Sequence, residues 1–484
     1  MTADHSTGPA AAAAPAAPRQ QTPGLERRLG ALDAAAIVVS NVVGGGIFFV
    51  PILVARLVPS GWAMLAVWLF GGVLAFTGAM AYAELAAVRP RAGGEYVYLR
   101  AAYGRGVAFL TGWTSFVAGF SGAIAASAVA FADYLGRFVP AAADRRPLLE
   151  VPLPGAPLVV SRQALAAMVL IAALSFAHVH RSGRAVHNLL TAAKIAALVA
   201  FGVLGLAFGA GSADHFSAAQ PVARPATGWM LALVPVMFTY SGWNAAAYVA
   251  EEIRSPGRNV PLALGGGTLL VILIYLLLNI VYLYGLPVAG LAGLDGRLAD
   301  TVAERLFGFA AGNLLAALAI VSLAASISAM IWAGPRVYYA MAEDGLFFRA
   351  ARRVHSVHRT PVAAIAAQAV WSSVLVLSGT LAQLVEYTGF AVVLFSGVAV
   401  AALFVLRARE PHAQRPFRAI GYPVAPALFV IASLLLVVDS IWSTPATALR
   451  GAAVILAGAP IYWLTTRYTL RDPGPGAGAS GNRR

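Results

Sequence analysis

The amino-acid sequence predicts an all-α integral membrane protein with twelve transmembrane helices. Of its 484 residues, 60% are hydrophobic and only 11% are charged, and the mean hydropathy is +0.76. A soluble protein of this length needs more charge to cover its surface. Apolar runs of about 17–25 residues, which match the thickness of a bilayer, recur along the chain. Arginines collect in every second loop between these runs.

Twelve such apolar runs, numbered here as spans one to twelve, are separated by mostly short polar loops. They cover residues 34–54, 62–88, 107–138, 161–176, 188–210, 228–249, 261–285, 307–333, 362–378, 384–406, 422–440 and 446–464. A cytoplasmic amino terminus puts 24 arginines on the inner side and nine outside. Because positive residues accumulate on the cytoplasmic side, we predict a protein of the cytoplasmic (plasma) membrane with both termini inside the cell.

The composition also excludes several classes of partner and chemistry. The net charge of +14 is spread between apolar runs, so it does not form the basic face of a nucleic-acid-binding protein. No cysteine is present, which excludes a disulfide-linked heavy subunit. Ala193 stands where a nucleotide-binding loop needs glycine before its lysine, Lys194. We find no converging catalytic or metal-ligand set, so we expect neither an enzyme nor a cofactor.

Two spans carry residues that interrupt a helix. Span one contains Gly44 to Gly46, and span six contains Tyr240-Ser241-Gly242. Glycine costs about 1 kcal/mol in a helix interior, so such clusters serve either close helix packing or local unwinding. Both clusters open a five-span block, the pattern of an inverted repeat with a central binding site. We therefore divide the chain into a disordered tail (1–32), two five-helix repeats (33–211 and 212–408), two additional helices (409–470) and a second disordered cytoplasmic tail (471–484).

Broken helices can bind both charges of one zwitterion. The half-helix that resumes presents free N–H groups and a positive dipole end, and the half-helix that stops presents free carbonyls. An α-amino acid fits this arrangement, with its carboxylate at span one and its ammonium at span six. Phe238 could act as a lid or simply pack, and Asn244 could contact substrate or bond between helices. The candidate substrate-binding residues are Val42, Gly44, Gly45, Gly46, Phe238, Thr239, Ser241 and Asn244.

Lys194 is the only lysine in the chain, and it lies inside the apolar run 187–211. An ammonium in a membrane helix is costly unless it faces the protein interior, where it marks an ion or proton pathway. Its stem could instead snorkel to the inner headgroups. All other basic residues are arginines apart from the histidines, so a lysine here indicates a charge that can lose its proton, which arginine cannot do.

Several motifs in order resemble the amino acid-polyamine-organocation superfamily, close to its L-type amino acid transporter branch. The resemblance covers residues 32–423. The matching strings are Val43-Gly44-Gly45-Gly46-Ile47-Phe48, Ala83-Glu84-Leu85, Arg91-Ala92-Gly93-Gly94-Glu95-Tyr96-Val97-Tyr98-Leu99, Phe238-Thr239-Tyr240-Ser241-Gly242-Trp243-Asn244, Glu251-Glu252 and Asn259-Val260-Pro261.

This resemblance implies a leucine-transporter-type fold of five plus five inverted spans with two more, which moves amino acids by alternating access. It places the substrate carboxylate on the span-one glycines and the amine on span-six carbonyls. Lys194 matches a span-five lysine that stands where sodium-coupled relatives hold a cation between spans one, five and eight. It would carry the coupling proton or act as a fixed charge in place of sodium. Ser326 and Ser328 on span eight are its expected hydroxyl neighbours.

The remaining polar residues receive simpler interpretations. Four carboxylates at cytoplasmic span ends, Glu84, Glu95, Glu251 and Glu252, are expected to form inner-gate ion pairs with nearby arginines. His178, His180 and His187 flank an inner loop without the spacing of a metal site.

A secondary amino acid transporter, proton-coupled or an exchanger, is the leading hypothesis. Its expected partners are an amino acid substrate, a proton in the coupled case, and the lipid bilayer. A polyamine or organic cation transporter is less favoured because no carboxylate is expected at central depth, and a non-transporting amino acid sensor would need signalling domains.

Overall fold

The fold is a bundle of membrane helices with one small hairpin. The computed structural model describes residues 24–152, 157–180, 182–222, 228–294, 298–308, 311–378, 381–443 and 445–471. Most of residues 1–32 and 471–484, the predicted disordered tails, lies outside this part of the chain. Two antiparallel strands, Pro147–Val151 (β1) and Leu158–Ser161 (β2), add a hairpin to the predicted all-α architecture.

The first half of the chain contains eight α-helices. They are Ala31–Val42 (α1), Val50–Ala55 (α2), Gly61–Val88 (α3), Glu95–Tyr103 (α4), Arg105–Thr114 (α5), Phe120–Leu135 (α6), Arg162–Val179 (α7) and Ser182–Phe208 (α8). A π-helical turn, Ser115–Gly119, joins α5 to α6 into one long rod. Ser60 and Ser161 cap α3 and α7, because their hydroxyls accept hydrogen bonds from free amides of the first turn.

The second half continues the helical pattern. Its helices are Gly228–Tyr240 (α9), Ala245–Tyr248 (α10), Pro256–Gly285 (α11), Val288–Ala292 (α12), Leu298–Phe307 (α13), Ala311–Glu343 (α14), Val362–Leu377 (α15), Leu381–Arg409 (α16), Val424–Ser443 (α17), Pro445–Leu456 (α18) and Gly458–Arg471 (α19). The centre of the bundle is α14, which packs against α1, α6, α8 and α15.

Nine helical stretches in the described residues are long and apolar enough to cross a membrane. Three shorter apolar helices accompany them, namely α1, α9 and α15. Two of these three, α1 and α9, belong to spans one and six, in which glycines predicted an interruption. The structure therefore shows an all-α membrane protein, as the composition predicts.

Small residues let α3 approach its neighbours closely. A Cβ atom at Gly71 would lie 2.5 Å from Val236 of α9, and one at Gly72 would lie 2.8 Å from both Ile272 of α11 and the Tyr240 hydroxyl. Both distances are too short for real carbon contacts, so larger residues would push these helices apart. Close packing at small residues is the usual means of association for helices in lipid.

A buried ion pair joins α14 to the segment after α10. Arg336 Nε donates to Glu252 Oε1 at 2.7 Å, and the side chains are 2% and 0% exposed. Arg28 approaches the other oxygen at 3.9 Å. Backbone bonds from Arg28 and Leu29 to the Glu252 carbonyl hold the chain before α1 against this segment. The expected inner ion pairing of Glu252 with Arg336 is therefore present.

The other three carboxylates have different partners from those expected. Glu84 binds Arg407 at 2.9 Å and Arg415 at 3.1 Å, so its arginines come from the far end of the chain. Glu251 accepts the amide of Ala92. Burial raises the pKa of the Glu251 carboxyl from its usual value. Glu95 pairs with no arginine in the described part of the chain, because helix α4 turns its side chain inward.

Removal of Arg336 should destabilise the fold. In Arg336→Met the Glu252 carboxylate stays buried without its partner, and we expect unfolding to become easier by about 3–5 kcal/mol. Thermal unfolding of the detergent-purified protein measures this. The matched control is Arg91→Met, since Arg91 pairs with Glu343 at 3.4 Å with side chains 49% and 37% exposed. That change should cost less than about 1 kcal/mol. Equal effects of the two substitutions would contradict the prediction.

Candidate functional site

The first interruption separates α1 from α2. Helix α1 ends at Val42, residues 43–45 leave the helical conformation, and a short 3-10 turn, Gly46–Phe48, precedes α2. The amides of Gly45 and Gly46 have no backbone partner among the described residues. They start the half-helix that resumes, so they are the free N–H groups that the glycine cluster predicts.

The second interruption separates α9 from α10. Helix α9 ends at Tyr240, and residues 241–244 form turns before α10 begins. Gly242 adopts a φ of +100°, which favours glycine. The Asn41 side-chain amide donates to the Gly242 carbonyl at 3.3 Å, and a Cβ atom at Gly242 would collide with it. The two predicted breaks are thus present, and they touch each other.

A tyrosine hydroxyl joins the carbonyl ends of both half-helices. Tyr275 of α11 places its oxygen 2.8 Å from the Val42 carbonyl and 3.1 Å from the Thr239 carbonyl. All three groups are buried. Carbonyls that a broken helix leaves free are expensive in a membrane unless a neighbour donates to them. Tyr275 therefore stabilises α1 and α9 at the point where each one stops.

A cavity of about 340 Å³ lies between the two breaks. This volume is in the range of small-molecule sites. Five of the eight predicted substrate-binding residues line it, and the other walls are mostly small, hydroxyl-bearing or aromatic residues of α5, α6 and α16. The five are Gly45, Gly46, Phe238, Ser241 and Asn244.

Three predicted residues do not line this cavity. The Val42 carbonyl faces Tyr275, and the Thr239 hydroxyl donates to Pro235 within its own helix. The Gly44 amide donates to the Val42 carbonyl at 2.8 Å, and Gly44 packs beside Ser326. These three residues therefore lie beside the breaks rather than on the cavity wall, with their polar groups bonded inside the protein.

Phe238 and Asn244 lie at opposite ends of the second break. A Cβ atom at Gly389 would lie 3.4 Å from the Phe238 ring, so this ring bridges the cavity towards α16. The Asn244 side-chain amide donates to Glu95 at 2.6 Å and to the Tyr248 hydroxyl at 3.2 Å. Of the two roles considered for Asn244, bonding between helices is the one its contacts show.

Glu95 lines the cavity, which corrects the expectation that no carboxylate lies there. Its Oε1 accepts hydrogen bonds from the Tyr82 hydroxyl at 2.7 Å and from Asn244. Burial raises the pKa of the Glu95 carboxyl from its usual value, and hydrogen bonds from Tyr82, Tyr248, Asn244 and Ser396 oppose that effect. The sequence missed this placement because the Gly93-Gly94 turn that swings α4 inward is invisible to hydropathy.

Lys194 is fully buried and contacts the end of α1. Its Nζ donates to the backbone carbonyls of Ser40, at 3.2 Å, and Val43. These are carbonyls that the interruption frees, at the negative end of the α1 dipole. The snorkelling alternative is therefore wrong. The Ser322 hydroxyl reaches the same Val43 carbonyl at 3.4 Å.

The two predicted serine neighbours of Lys194 face different ways. Ser326 lies beside Gly44, next to the break. Ser328 does not neighbour Lys194, because its hydroxyl bonds His178 at 2.7 Å and His187 at 3.2 Å. Residues two apart on a helix point about 200° apart, so they cannot both face one cation. The metal-ligand spacing does not predict either histidine as part of the site, although His187, Thr191 and Lys194 share one face of α8.

Comparisons with known proteins agree with this geometry. A family described as amino acid permease matches residues 29–464. The large neutral amino acids transporter small subunit 2 of Homo sapiens is 27% identical over 448 residues, covering 91% of this chain and 80% of that protein. The b(0,+)-type amino acid transporter 1 of Homo sapiens is 29% identical over 452 residues, covering 93% and 90%. The serine/threonine exchanger SteT of Bacillus subtilis (strain 168) is 27% identical over 442 residues, covering 91% and 97%.

The family match includes both interruptions, the cavity between them and Lys194. The resemblance to the L-type branch of the amino acid-polyamine-organocation superfamily is thereby confirmed. Because the match covers most of the chain, this chain belongs to the amino acid permease family, and it is a secondary amino acid transporter that works by exchange or symport.

Proposed function

We propose that this transporter binds a neutral α-amino acid in the cavity between the two breaks. The substrate carboxylate accepts hydrogen bonds from the amides of Gly45 and Gly46, and the ammonium lies against the Ser241 carbonyl. The observation that carries this proposal is a pair of amides without a backbone partner, on two glycines that line a cavity shared with the second break. The mostly apolar lining and the substrates named for two of the relatives support a neutral side chain.

Lys194 supplies the ionisable charge of the proposed cycle. It holds the two carbonyls that the end of α1 presents, so its protonation state sets how strongly α1 is held against α8. We propose that Lys194 carries the coupling proton rather than acting as a fixed charge. A lysine suits this role because its ammonium can lose a proton when it is buried.

We also propose that the fold is the predicted twelve-span inverted repeat. The nine long stretches and three shorter apolar helices support the number of spans. Reciprocal packing supports the repeat, because α1 packs on α11 while α3 packs on α9. These pairs are spans one with seven and two with six, as a two-fold relation requires. The proposed location is the plasma membrane, with both termini in the cytoplasm. Because the sequence has no cysteine, it cannot form a disulfide with a heavy subunit.

A larger residue at Gly45 should block binding. Gly45 has an ordinary helical φ of −68°, and a Cβ atom there would lie 3.7 Å from Leu323, so the backbone tolerates a side chain. In Gly45→Leu the added carbons fill the carboxylate position. We expect amino acid affinity to fall roughly 100-fold or more, which corresponds to about 2.8 kcal/mol. Equilibrium binding of a labelled amino acid to the purified protein measures this.

The control for this prediction is Gly266→Leu. Gly266 lies on α11, and a Cβ atom there would meet nothing within 4 Å. It lies outside the substrate cavity, so its substitution should leave affinity unchanged. Wild-type affinity in Gly45→Leu would refute the placement of the carboxylate.

Substitutions of Lys194 separate its two possible roles. Lys194→Arg keeps a permanent charge, whereas Lys194→Ala removes it and leaves the Ser40 and Val43 carbonyls without a donor. We expect uptake into proteoliposomes to rise with an imposed pH gradient in the wild-type protein only. The measurement is uptake of a panel of labelled amino acids with and without that gradient. Stimulation of Lys194→Arg by the gradient would contradict proton carriage. If the gradient does not change uptake by the wild-type protein, proton carriage is contradicted as well, but transport by exchange remains supported.

One observation favours a second candidate substrate class. Glu95 places a carboxyl on the cavity wall, and no cationic side chain among the described residues pairs with it. A polyamine, or an amino acid with a second cationic group, would complete that pair.

This candidate predicts that arginine or a polyamine competes for uptake. It also predicts that Glu95→Gln weakens this competition roughly 30-fold, because a buried charge pair loses one partner. Competition against a labelled neutral amino acid measures the effect, and neutral amino acids competing against the same label provide the control. Failure of all cations to compete in the wild-type protein would eliminate this candidate.

A further inference from the structure

A chain of buried polar side chains runs from the surroundings of Lys194 to the turn between α7 and α8. The Ser40 hydroxyl lies 2.6 Å from the Thr191 hydroxyl, which lies 3.5 Å from His187 Nε2. His187 Nδ1 lies 3.2 Å from the Ser328 hydroxyl, which lies 2.7 Å from His178 Nε2. Both ring nitrogens of His187 thus face a hydroxyl. These side chains come from four different helices, α1, α7, α8 and α14.

The chain follows one face of α8. His187, Thr191 and Lys194 are spaced four and three residues apart, so they lie one above another on that face. The axial distance from His187 to Lys194 is about 10 Å at 1.5 Å per residue. Lys194 joins the chain through Ser40, because Nζ donates to the Ser40 carbonyl while the hydroxyl of the same residue bonds Thr191.

The far end of the chain lies under the α7–α8 turn. A Cβ atom at Gly183 would lie 3.0 Å from His178 Nδ1, so this nitrogen points at the turn. The proposed topology puts that turn on the cytoplasmic side. The chain therefore connects the lysine at the first break with the inner face of the protein, along a route separate from the substrate cavity.

Packing alone does not account for these residues. His187 and Ser328 are 0% exposed and His178 is 5% exposed, so all three carry the desolvation cost of buried polar groups. Trp332 packs edge-on against both imidazoles, with ring centroids 5.3 and 5.6 Å apart. Apolar side chains would fill the same space between helices without that cost. A hydrogen-bonded chain of two histidines and a serine is instead suited to moving protons, since each imidazole can accept a proton on one ring nitrogen and release one from the other.

The charged groups around the two rings come from several elements. They are Lys194 on α8, Asp33 on α1, Arg336 on α14 and Arg28 before α1. Asp33 is itself bonded to Arg184 and Asn188. No carboxylate of the described residues bonds either ring, so neither imidazole is held permanently charged by an ion pair.

We propose that His187, Ser328 and His178 form a proton path that connects Lys194 with the cytoplasmic face. This inference rests on the proposed role of Lys194 as the proton carrier. The path gives the lysine an exit for its proton on the inner side, whereas the substrate leaves through the cavity. The path therefore carries one proton at a time and no other ligand.

Each step of the path conserves protons. The Lys194 ammonium gives one proton to the Ser40 and Thr191 hydroxyls, and the hydroxyl next to His187 passes its own proton to Nε2. His187 then releases the proton on Nδ1 to Ser328, which gives its hydroxyl proton to His178 Nε2. His178 releases a proton from Nδ1 at the turn. Every relay group ends with as many protons as it had, and the net change is one proton moved from Lys194 to the cytoplasmic side.

Two steps depend on motion, the one from Lys194 to the Ser40 hydroxyl and the one from Thr191 to His187. The Thr191 hydroxyl donates to the His187 backbone carbonyl at 2.8 Å and has to rotate towards Nε2, which lies 3.5 Å away. In this conformation Nζ donates to backbone carbonyls, which cannot pass a proton on. Both carbonyls belong to the segment at the end of α1. When the first break rearranges during transport, those carbonyls move away from Nζ and the neighbouring hydroxyl becomes its partner. The path is therefore closed in this conformation and opens with the movement of α1.

The test measures proton movement and amino acid exchange separately in the same proteoliposomes. A pH-sensitive dye inside the vesicles reports proton entry when a labelled neutral amino acid is added. Exchange of that amino acid at equal pH on both sides requires no net proton movement. In His187→Gln, which keeps hydrogen bonding but cannot carry a proton, we expect proton entry to fall roughly 100-fold. Exchange at equal pH should change less than about twofold, because it requires no net proton movement.

Matched variants separate proton transfer from a structural role. Ser328→Ala should match His187→Gln, whereas Ser328→Thr keeps the hydroxyl and should restore proton entry. His178→Gln provides a second interruption of the path in case one variant fails to fold. The control is His180→Gln, because His180 is two residues from His178 but its ring bonds the Phe176 carbonyl outside the path. Its proton entry should equal that of the wild-type protein.

Five outcomes decide the proposal. Loss of proton entry with retained exchange in the path variants, and rescue by Ser328→Thr, would support it. Wild-type proton entry in both histidine variants would overturn it, and so would a parallel loss of proton entry and exchange in folded protein. Exchange without any proton entry in the wild-type protein would overturn the path but leave the substrate site standing. Absence of exchange in the wild-type protein would instead show that the proposed function fails.

Discussion

The structure depends on the constraint that a peptide group inside a bilayer must find a hydrogen-bond partner within the protein. Two helices stop in the middle of the bundle, so free carbonyls and amides collect there. Lys194 and Tyr275 satisfy the carbonyls, and Asn41 ties the two breaks together. The amides of Gly45 and Gly46 are left without a backbone partner among the described residues, and both glycines line the cavity. The proposed substrate site is therefore built from peptide groups that the bundle does not itself satisfy.

One end of the bundle is held by charges that lie far apart in the sequence. Arg336 binds Glu252 across 84 residues, and Arg407 binds Glu84 across 323 residues. Such pairs resist separation because each ion is costly to leave buried alone. In the proposed orientation these pairs lie at the cytoplasmic end of the bundle, so the charges that stabilise this conformation would also set the energy of opening that end.

Two polar systems approach the cavity from different sides. One centres on Glu95, which links Tyr82 to Asn244 at the second break. The other runs from Lys194 past His187 at the first break. Each system touches a segment where a helix resumes or stops, so a change of charge in either one acts on the geometry of a break. In the proposed mechanism, substrate binding and proton binding would be coupled through these two segments of peptide backbone.

The sequence by itself determined the membrane class, the positions of both breaks and the burial of Lys194, because hydropathy, glycine clusters and a lone charge in an apolar run are local signals. Only the tertiary structure decided which side chains meet. Periodicity assigns a residue to a face of its own helix but does not say which neighbour packs there. For that reason Ser328 was wrongly placed beside Lys194, Glu95 was wrongly paired with arginine, and the two histidines gained a role only when α7, α8 and α14 came together.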